Sequence, residues 1–189
     1  MNKKKKLFIN LILIVIALAG IYHFGGFYVS KDQCVKEYLR GMHIDAGEAE
    51  TSIKEGNVIY TIFTNDETFN VESDAVSPRG HLVVVTQKIG FLYRAKSLQE
   101  STGEKNNVTV SCFKTPDEKG YVVVAERIKE DIAKAEVMVG GVSDVFNLTF
   151  EEWNNNVGVT YIESEGFVNL VNYKTYDEAG NLIEDFWGN

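Results

Sequence analysis

HLVVVTQ, residues 81–87, is the stretch that sets the class of fold. Leu82, Val83, Val84 and Val85 follow one another without a polar break. Three of the four are β-branched, and no helical spacing is visible. Such a short, continuous apolar run predicts a central strand buried on both faces. On its N-terminal side, Ser77-Pro78-Arg79-Gly80 predicts a turn. Further back, Val58, Tyr60, Ile62 and Thr64 alternate with Ile59, Thr61 and Phe63, a period of two that predicts a strand. Glu55-Gly56-Asn57 leads into it, Asn65-Asp66 turns it, and Thr68-Phe69-Asn70-Val71 returns. On the C-terminal side Gly90 breaks the valine strand and residues 91–95 begin the next. The expectation is an antiparallel meander.

A short helix should lie on that meander. Ser30 is a good N-cap, Gln33 stands three residues on, and Asp32 favours the positive end of the helix dipole. Val35, Tyr38, Leu39 and Met42 then recur at helical spacing, with Gly41 at the exit. The apolar stripe is expected to pack on its own domain, as the faces of surface helices do.

Past a polar linker at 101–106, the period of two returns. Val108, Val110, Cys112 and Lys114 share one face, and Thr109, Ser111 and Phe113 the other. Residues 115–120 read as a hairpin loop, and 121–125 pair back. Asn57-Val58 and Phe63 match Asn107-Val108 and Phe113 at the same spacing, a hint of a duplicated hairpin. Residues 127–136 fit a helix face through Ile128, Ile132 and Ala135, or a strand through Ala133, Ala135, Val137 and Val139; the expectation is a turn at Lys129-Glu130-Asp131, then a strand to Gly140-Gly141, with further strands over 145–150, 157–162 and 167–176, and at Leu182-Ile183. Asp177-Glu178-Ala179-Gly180-Asn181 is the last turn, and Phe186 with Trp187 a packed tail. Short strands at this spacing suggest a β-sandwich.

The N-terminus has a different character. Lys3, Lys4, Lys5 and Lys6 precede residues 7–29, which carry no formal charge. About 20 apolar residues cross a bilayer as a helix, and the lysines should stay cytoplasmic, leaving the C-terminus outside. A second reading is a signal peptide cut near Ala19, at Ala17-Leu18-Ala19. Both readings predict export. The expected class is therefore α+β and mainly antiparallel β: an N-terminal transmembrane helix, a short amphipathic helix with a β-meander, and a β-sandwich-like C-terminal half. The expected division is 1–29, 30–100 and 106–189, the last two forming one domain or two.

Charge narrows the partners. The chain has 189 residues, with 19 Lys and Arg against 27 Asp and Glu. With the four leader lysines set aside, the remainder carries about −12. It should repel nucleic acid and other polyanions, and suit cations and basic ligands better. Cys34 and Cys112 form a possible disulfide outside the membrane. The other reading is two buried thiols.

Chemistry-bearing motifs are sparse. His23, His43 and His81 stand without a second histidine at ligand spacing. Asp74, Ser77 and His81 are close along the chain, but a turn accounts for them better than a triad does. The acid pairs Asp66-Glu67, Asp117-Glu118, Glu151-Glu152 and Asp177-Glu178 read as solvated turns. Only the last resembles a calcium loop, and it lacks the alternating ligands and distal glutamate. No residue is assigned as catalytic, cofactor-binding or metal-binding, and no cofactor is implied.

The lysine run with LFINLILIVIALAG, the DIAKAEVMVGG stretch and the closing YKTYDEAGNLIED resemble small single-pass extracytoplasmic proteins of Gram-positive, Bacillus-like bacteria. The likeness is one of layout, and carries no site residues onto this chain. The expectation is a membrane-tethered extracytoplasmic module that binds an exported protein or small ligand without catalysis. The alternative is a cell-envelope hydrolase whose site is assembled from distant residues.

Overall fold

The computed structural model describes residues 3–65, 80–102, 107–141 and 144–187. The valine strand, β4 (Gly80–Ile89), lies in the middle of a five-stranded antiparallel sheet. β3 (Val58–Asn65) flanks it on one side and β5 (Leu92–Thr102) on the other. β2 (Thr51–Glu55) and the two-residue β1 (Phe27–Tyr28) form the outer edges.

Successive side chains of β4 point to opposite faces, so an unbroken apolar run needs apolar cover on both. One cover is α2 (Lys31–Gly41), whose Val35 and Leu39 pack with Phe63, Leu82 and Val84. The other is a second sheet. Val83 and Val85, with Tyr60 and Ile62, meet Phe113, Val122, Val124 and Val157. That sheet has the order β10 (Val157–Glu163), β7 (Gly120–Arg127), β6 (Val108–Lys114).

β7 repeats the logic one layer deeper. Val122 and Val124 face the first sheet, whereas Tyr121, Val123 and Ala125 join a core with Ile132, Ala135, Val137, Val139, Phe150 and Tyr173. These belong to or adjoin a four-stranded sheet, β12 (Leu182–Trp187), β11 (Asn169–Tyr176), β8 (Lys134–Gly140), β9 (Val145–Phe150). The layers therefore run α2, five strands, three strands, four strands. The sheets of the C-terminal half do face one another, but the three-stranded one is also backed by the meander.

The two valine hairpins share a register. Phe63 pairs with Leu82 and Val58 with Gln87; Phe113 pairs with Val122 and Val108 with Arg127. Asn57 and Asn107 precede the equivalent positions, so the similarity noted in sequence extends to GHLVVVTQ and GYVVVAER.

Several expectations shift. Glu55-Gly56-Asn57 is a hairpin turn joining β2 to β3, with Gly56 at φ 58, and β2 itself had no sequence reading. Met42 does not pack in the stripe. Its N–H caps the Tyr38 and Leu39 carbonyls as the helix closes at Gly41, and His43 takes the left-handed exit at φ 59. Ser101 and Thr102 end β5 rather than opening a linker. Phe167 stays exposed and β11 starts at Asn169. Phe186 stacks on Tyr173 at 4.9 Å while Trp187 is exposed, so only half of the tail packs. The expected return at 68–71, the turn residues 77–79, and the linker residues 103–106 lie outside the described residues.

At the N-terminus, α1 covers Lys3–Phe24. Among the described residues, no helix is long and apolar enough to cross a membrane. The side chains of Leu18 and of residues 21–24 lie outside the described set.

Because Leu82 bridges α2 to the first sheet, Leu82→Ala is expected to cost about 2–5 kcal/mol. Urea unfolding checks this; a loss below about 0.5 kcal/mol would contradict the α2 packing.

Candidate functional site

The layers bring together two polar constellations that no local motif announces. In the first, His81 projects from β4 between the first two sheets, on the same face as Val83 and Val85. Its Nδ1 lies 2.7 Å from Ser111 Oγ on β6, and its Nε2 lies 3.4 Å from Glu126 Oε2 on β7. Serine, imidazole and carboxylate in series is the order of nucleophile, base and orienting acid. A hydrolase also needs space about 3 Å from the serine for the reacting carbon. Here all three side chains are buried, and none of them lines the cleft described next. The group acts as a polar tie between sheets. In the sequence His81 is the first residue of the valine strand, and no motif marks Ser111 or Glu126. Glu126 carried a usable sign, since it closes an apolar run whose alternate positions all point inward.

The second constellation is a cleft of about 1080 Å³ at the end of the first sheet that carries the 55–58 turn. The first sheet extends beyond the second there, so part of its inner face lacks cover. Val58, Tyr60, Val85 and Gln87 form the floor. The opposite wall is the β6–β7 loop at 115–119 with Tyr161 and residues 163–165 of the β10 end. Gly120 makes this wall possible: a Cβ there would stand 2.5 Å from both the Tyr161 hydroxyl and the Ile162 carbonyl. Glu55, Asp117, Asp144, Glu163 and Glu165 line the space, against Lys96 and Lys119.

The carboxylates act on the tyrosines. Burial, followed by the charge of Asp117, the neighbouring Tyr161 and the charge of Glu55, pushes Tyr60 up to about 12. Tyr161 is raised by burial first, then by Asp117, Glu163 and Glu55. Asp117 is held below its usual range by the Thr115 hydroxyl at 2.6 Å and the Lys119 N–H at 3.3 Å, so it stays ionised. Ser164 is only 6 % exposed and its Oγ has no hydrogen-bond partner. Its backbone N–H donates to the Lys119 carbonyl at 3.1 Å.

The remaining sequence candidates stay apart. The possible Cys34–Cys112 disulfide is not formed, and both thiols are free. Cys34 sits on α2 over the outer face of the first sheet, and Cys112 on β6 packs toward the third sheet. A bridge requires Cα atoms within about 7 Å, whereas packed sheets alone are about 10 Å apart. Burial raises Cys34 and pushes Cys112 up to about 12. Asp74, Ser77 and the Asp66-Glu67 pair lie outside the described residues, as does the His23 side chain. Glu118 pairs with Lys114 at 3.1 Å, and Glu151 lies 3.8 Å from Lys134. Asp177 is closed onto its own turn by Asn181, at 2.7 and 2.9 Å. Among the described residues, no group of three or more His, Cys, Asp or Glu is placed to hold a metal ion.

No protein-family model, curated protein or solved structure matches this chain.

Two measurements follow from this chemistry. A thiol reagent should find no fast-reacting group in the native protein and two after denaturation; none after non-reducing denaturation would restore the bridge. Tyr60 in the folded chain ionises near 12 against 10.0 unperturbed. The folded state therefore holds that proton more tightly, and this stability is complete below pH 10 and lost as pH rises toward 12. Tyr60→Phe should flatten that part of the stability–pH curve; an unchanged slope would contradict the burial of the phenol.

Proposed function

We propose that this chain is a membrane-tethered extracytoplasmic binding module, with the cleft as its ligand site. The observation that carries the reading is the surface of α1. Leu7, Phe8, Ile9, Leu11, Ile12, Leu13, Ile14, Val15 and Ile16 are all exposed, between 42 and 75 %. They point in every direction around the helix, so no single protein face can cover them. A helix apolar on all sides belongs in a protein core or a bilayer. The uncharged part of α1, residues 7–24, rises about 27 Å at 1.5 Å each, close to the roughly 30 Å of the hydrocarbon layer. The four lysines at its start favour a cytoplasmic N-terminus.

The junction with the sheets supports the same reading. Only Gly25 and Gly26 separate α1 from β1, which pairs Phe27 with Arg94 and Tyr28 with Tyr93. Arg94 lies over the Phe27 ring at 5.4 Å and Lys88 over Tyr93 at 5.8 Å. Ile89 and Phe91 are exposed at the adjoining hairpin tip. Aromatic and basic residues together suit the headgroup zone. Among the described residues the Ser111–His81–Glu126 tie is buried between the sheets, which favours binding over covalent chemistry in this reading.

Cell fractionation tests the proposal. The full-length chain should sediment with membranes, resist high-salt and alkaline washes, and leave with detergent. Protease added to intact protoplasts should remove the C-terminal part. Ile14→Lys, which places a charge mid-helix at about 2.5–3.5 kcal/mol, should move a measurable share into the soluble fraction. A wild-type full-length chain found dissolved in the cytosol would contradict the proposal.

A further inference from the structure

We propose that the loop joining β4 to β5 is a second membrane contact. It docks on the outer leaflet beside α1, with Ile89 and Phe91 among the lipid and Lys88 and Arg94 on anionic headgroups. This rests on the reading of α1 as a membrane tether and names the partner of the domain that follows it.

Three observations carry it. The first is what the loop is made of. Ile89 pairs with Leu92, so the turn is only Gly90-Phe91, with Gly90 at φ 62. Tight turns are ordinarily filled by Gly, Asn, Asp or Ser. Here a phenylalanine stands at the apex, 73 % exposed, with Ile89 exposed beside it. β1 pairs Phe27 with Arg94 and Tyr28 with Tyr93, so the chain from α1 runs toward this loop. Val29 comes next and is exposed as well. None of the three apolar side chains belongs to a core cluster.

The second is charge. Residues 88–96, KIGFLYRAK, hold Lys88, Arg94 and Lys96 and no acid, in a chain where acids outnumber bases. Lys96 lines the cleft, which leaves Lys88 and Arg94 flanking the loop. Both are exposed, and among the described residues no carboxylate pairs with either. They stand instead over the rings of Tyr93 and Phe27, at 5.8 and 5.4 Å. Asp32, at the start of α2, is paired with Lys31 at 3.3 Å. The carboxylates of the cleft stand farther back. Glu55 is opposite Val58 and Val58 opposite Gln87, so Glu55 is level with Gln87. The apex at Phe91 lies about 10 Å beyond that level, a distance at which salt largely screens a charge.

The third is nearness to the tether. Three residues take the chain from Phe24, the end of α1, to Phe27, and three take β5 back from Arg94 to Phe91. With the strand spacing added, the loop lies within about 25 Å of the end of α1. The tether therefore holds the loop at high effective concentration beside the leaflet. A contact too weak to recruit the domain by itself then suffices to orient it.

Lipid quenching on the full-length chain decides the matter, in vesicles of brominated phosphatidylcholine with phosphatidylglycerol, against the same vesicles without bromine. Flotation of the vesicles reports the tether separately. The emission added by Phe91→Trp, over the wild-type background of Trp153 and Trp187, should be mostly quenched, and should recover in part when phosphatidylglycerol is left out. Leu182→Trp is the control: Leu182 pairs with Tyr176 on the four-stranded sheet, away from the cleft, and its replacement should keep its emission. In the Phe91→Trp background, Lys88→Gln with Arg94→Gln should lower the ratio of docked to undocked domain roughly tenfold. Ile89→Asp should abolish the quenching. The substituted side chains are exposed, so an unchanged melting curve is expected of each variant. A chain that floats while Phe91→Trp keeps its emission overturns the docking and leaves the tether standing. Equal quenching of Phe91→Trp and Leu182→Trp overturns it too, since the domain then meets lipid without orientation. Quenching indifferent to phosphatidylglycerol and to the charge substitutions overturns the assignment of anionic headgroups. A chain that does not float overturns the tether, and the docking with it.

Discussion

A strand whose side chains are apolar on both faces has no side to give to water, and this protein contains two such strands. β4 needs α2 above it and a sheet below it. β7 needs a sheet above it and another below it. Because Val83 and Val85 of the first meet Val122 and Val124 of the second, the two requirements are met partly by each other. The stacking of three sheets follows from that contact, with the four-stranded sheet added to cover Tyr121, Val123 and Ala125. The polar tie from His81 to Ser111 and Glu126 sits in the same seam. A buried imidazole with a serine at 2.7 Å tolerates little sliding between the sheets, so it fixes alignment where valines alone would not.

The same seam creates the cleft. The first sheet is longer than the second at one end, and β3 and β4 continue past the point where the β6–β7 loop turns back. Tyr60 and Val85 are left at the limit of the shared core, and the loop residues at 115–119 become a wall. A site of this kind comes from a mismatch in strand length, with its charges drawn from loops far apart in the chain.

That origin explains what could be read in advance. The meander around 81–87, the strands at 108–114, 134–140 and 157–163, and the turn at 129–131 all follow from short-range patterns. The N-cap at Ser30 does too. β2 was not legible because Thr51-Ser52-Ile53-Lys54-Glu55 has little apolar alternation and gains its place only by pairing with β3. The three-layer order was hidden because the run at 121–125 states that β7 is covered twice, but not by what. The disulfide expectation failed for a related reason: spacing along the chain says nothing about which layer a thiol occupies. The cleft had no sequence sign at all, since Glu55, Asp117 and Glu163 are joined only by tertiary packing.

The account stands on the two valine strands sharing one core, and native-state hydrogen exchange measures that most directly. The amides of Val83, Val84 and Val85 and those of Val122, Val123 and Val124 should exchange only through one common unfolding event, with matching opening free energies and matching sensitivity to denaturant. If the second set instead opened by itself at a distinctly lower free energy while the first stayed protected, the sheets would be separate units, and the shared core described above would be wrong.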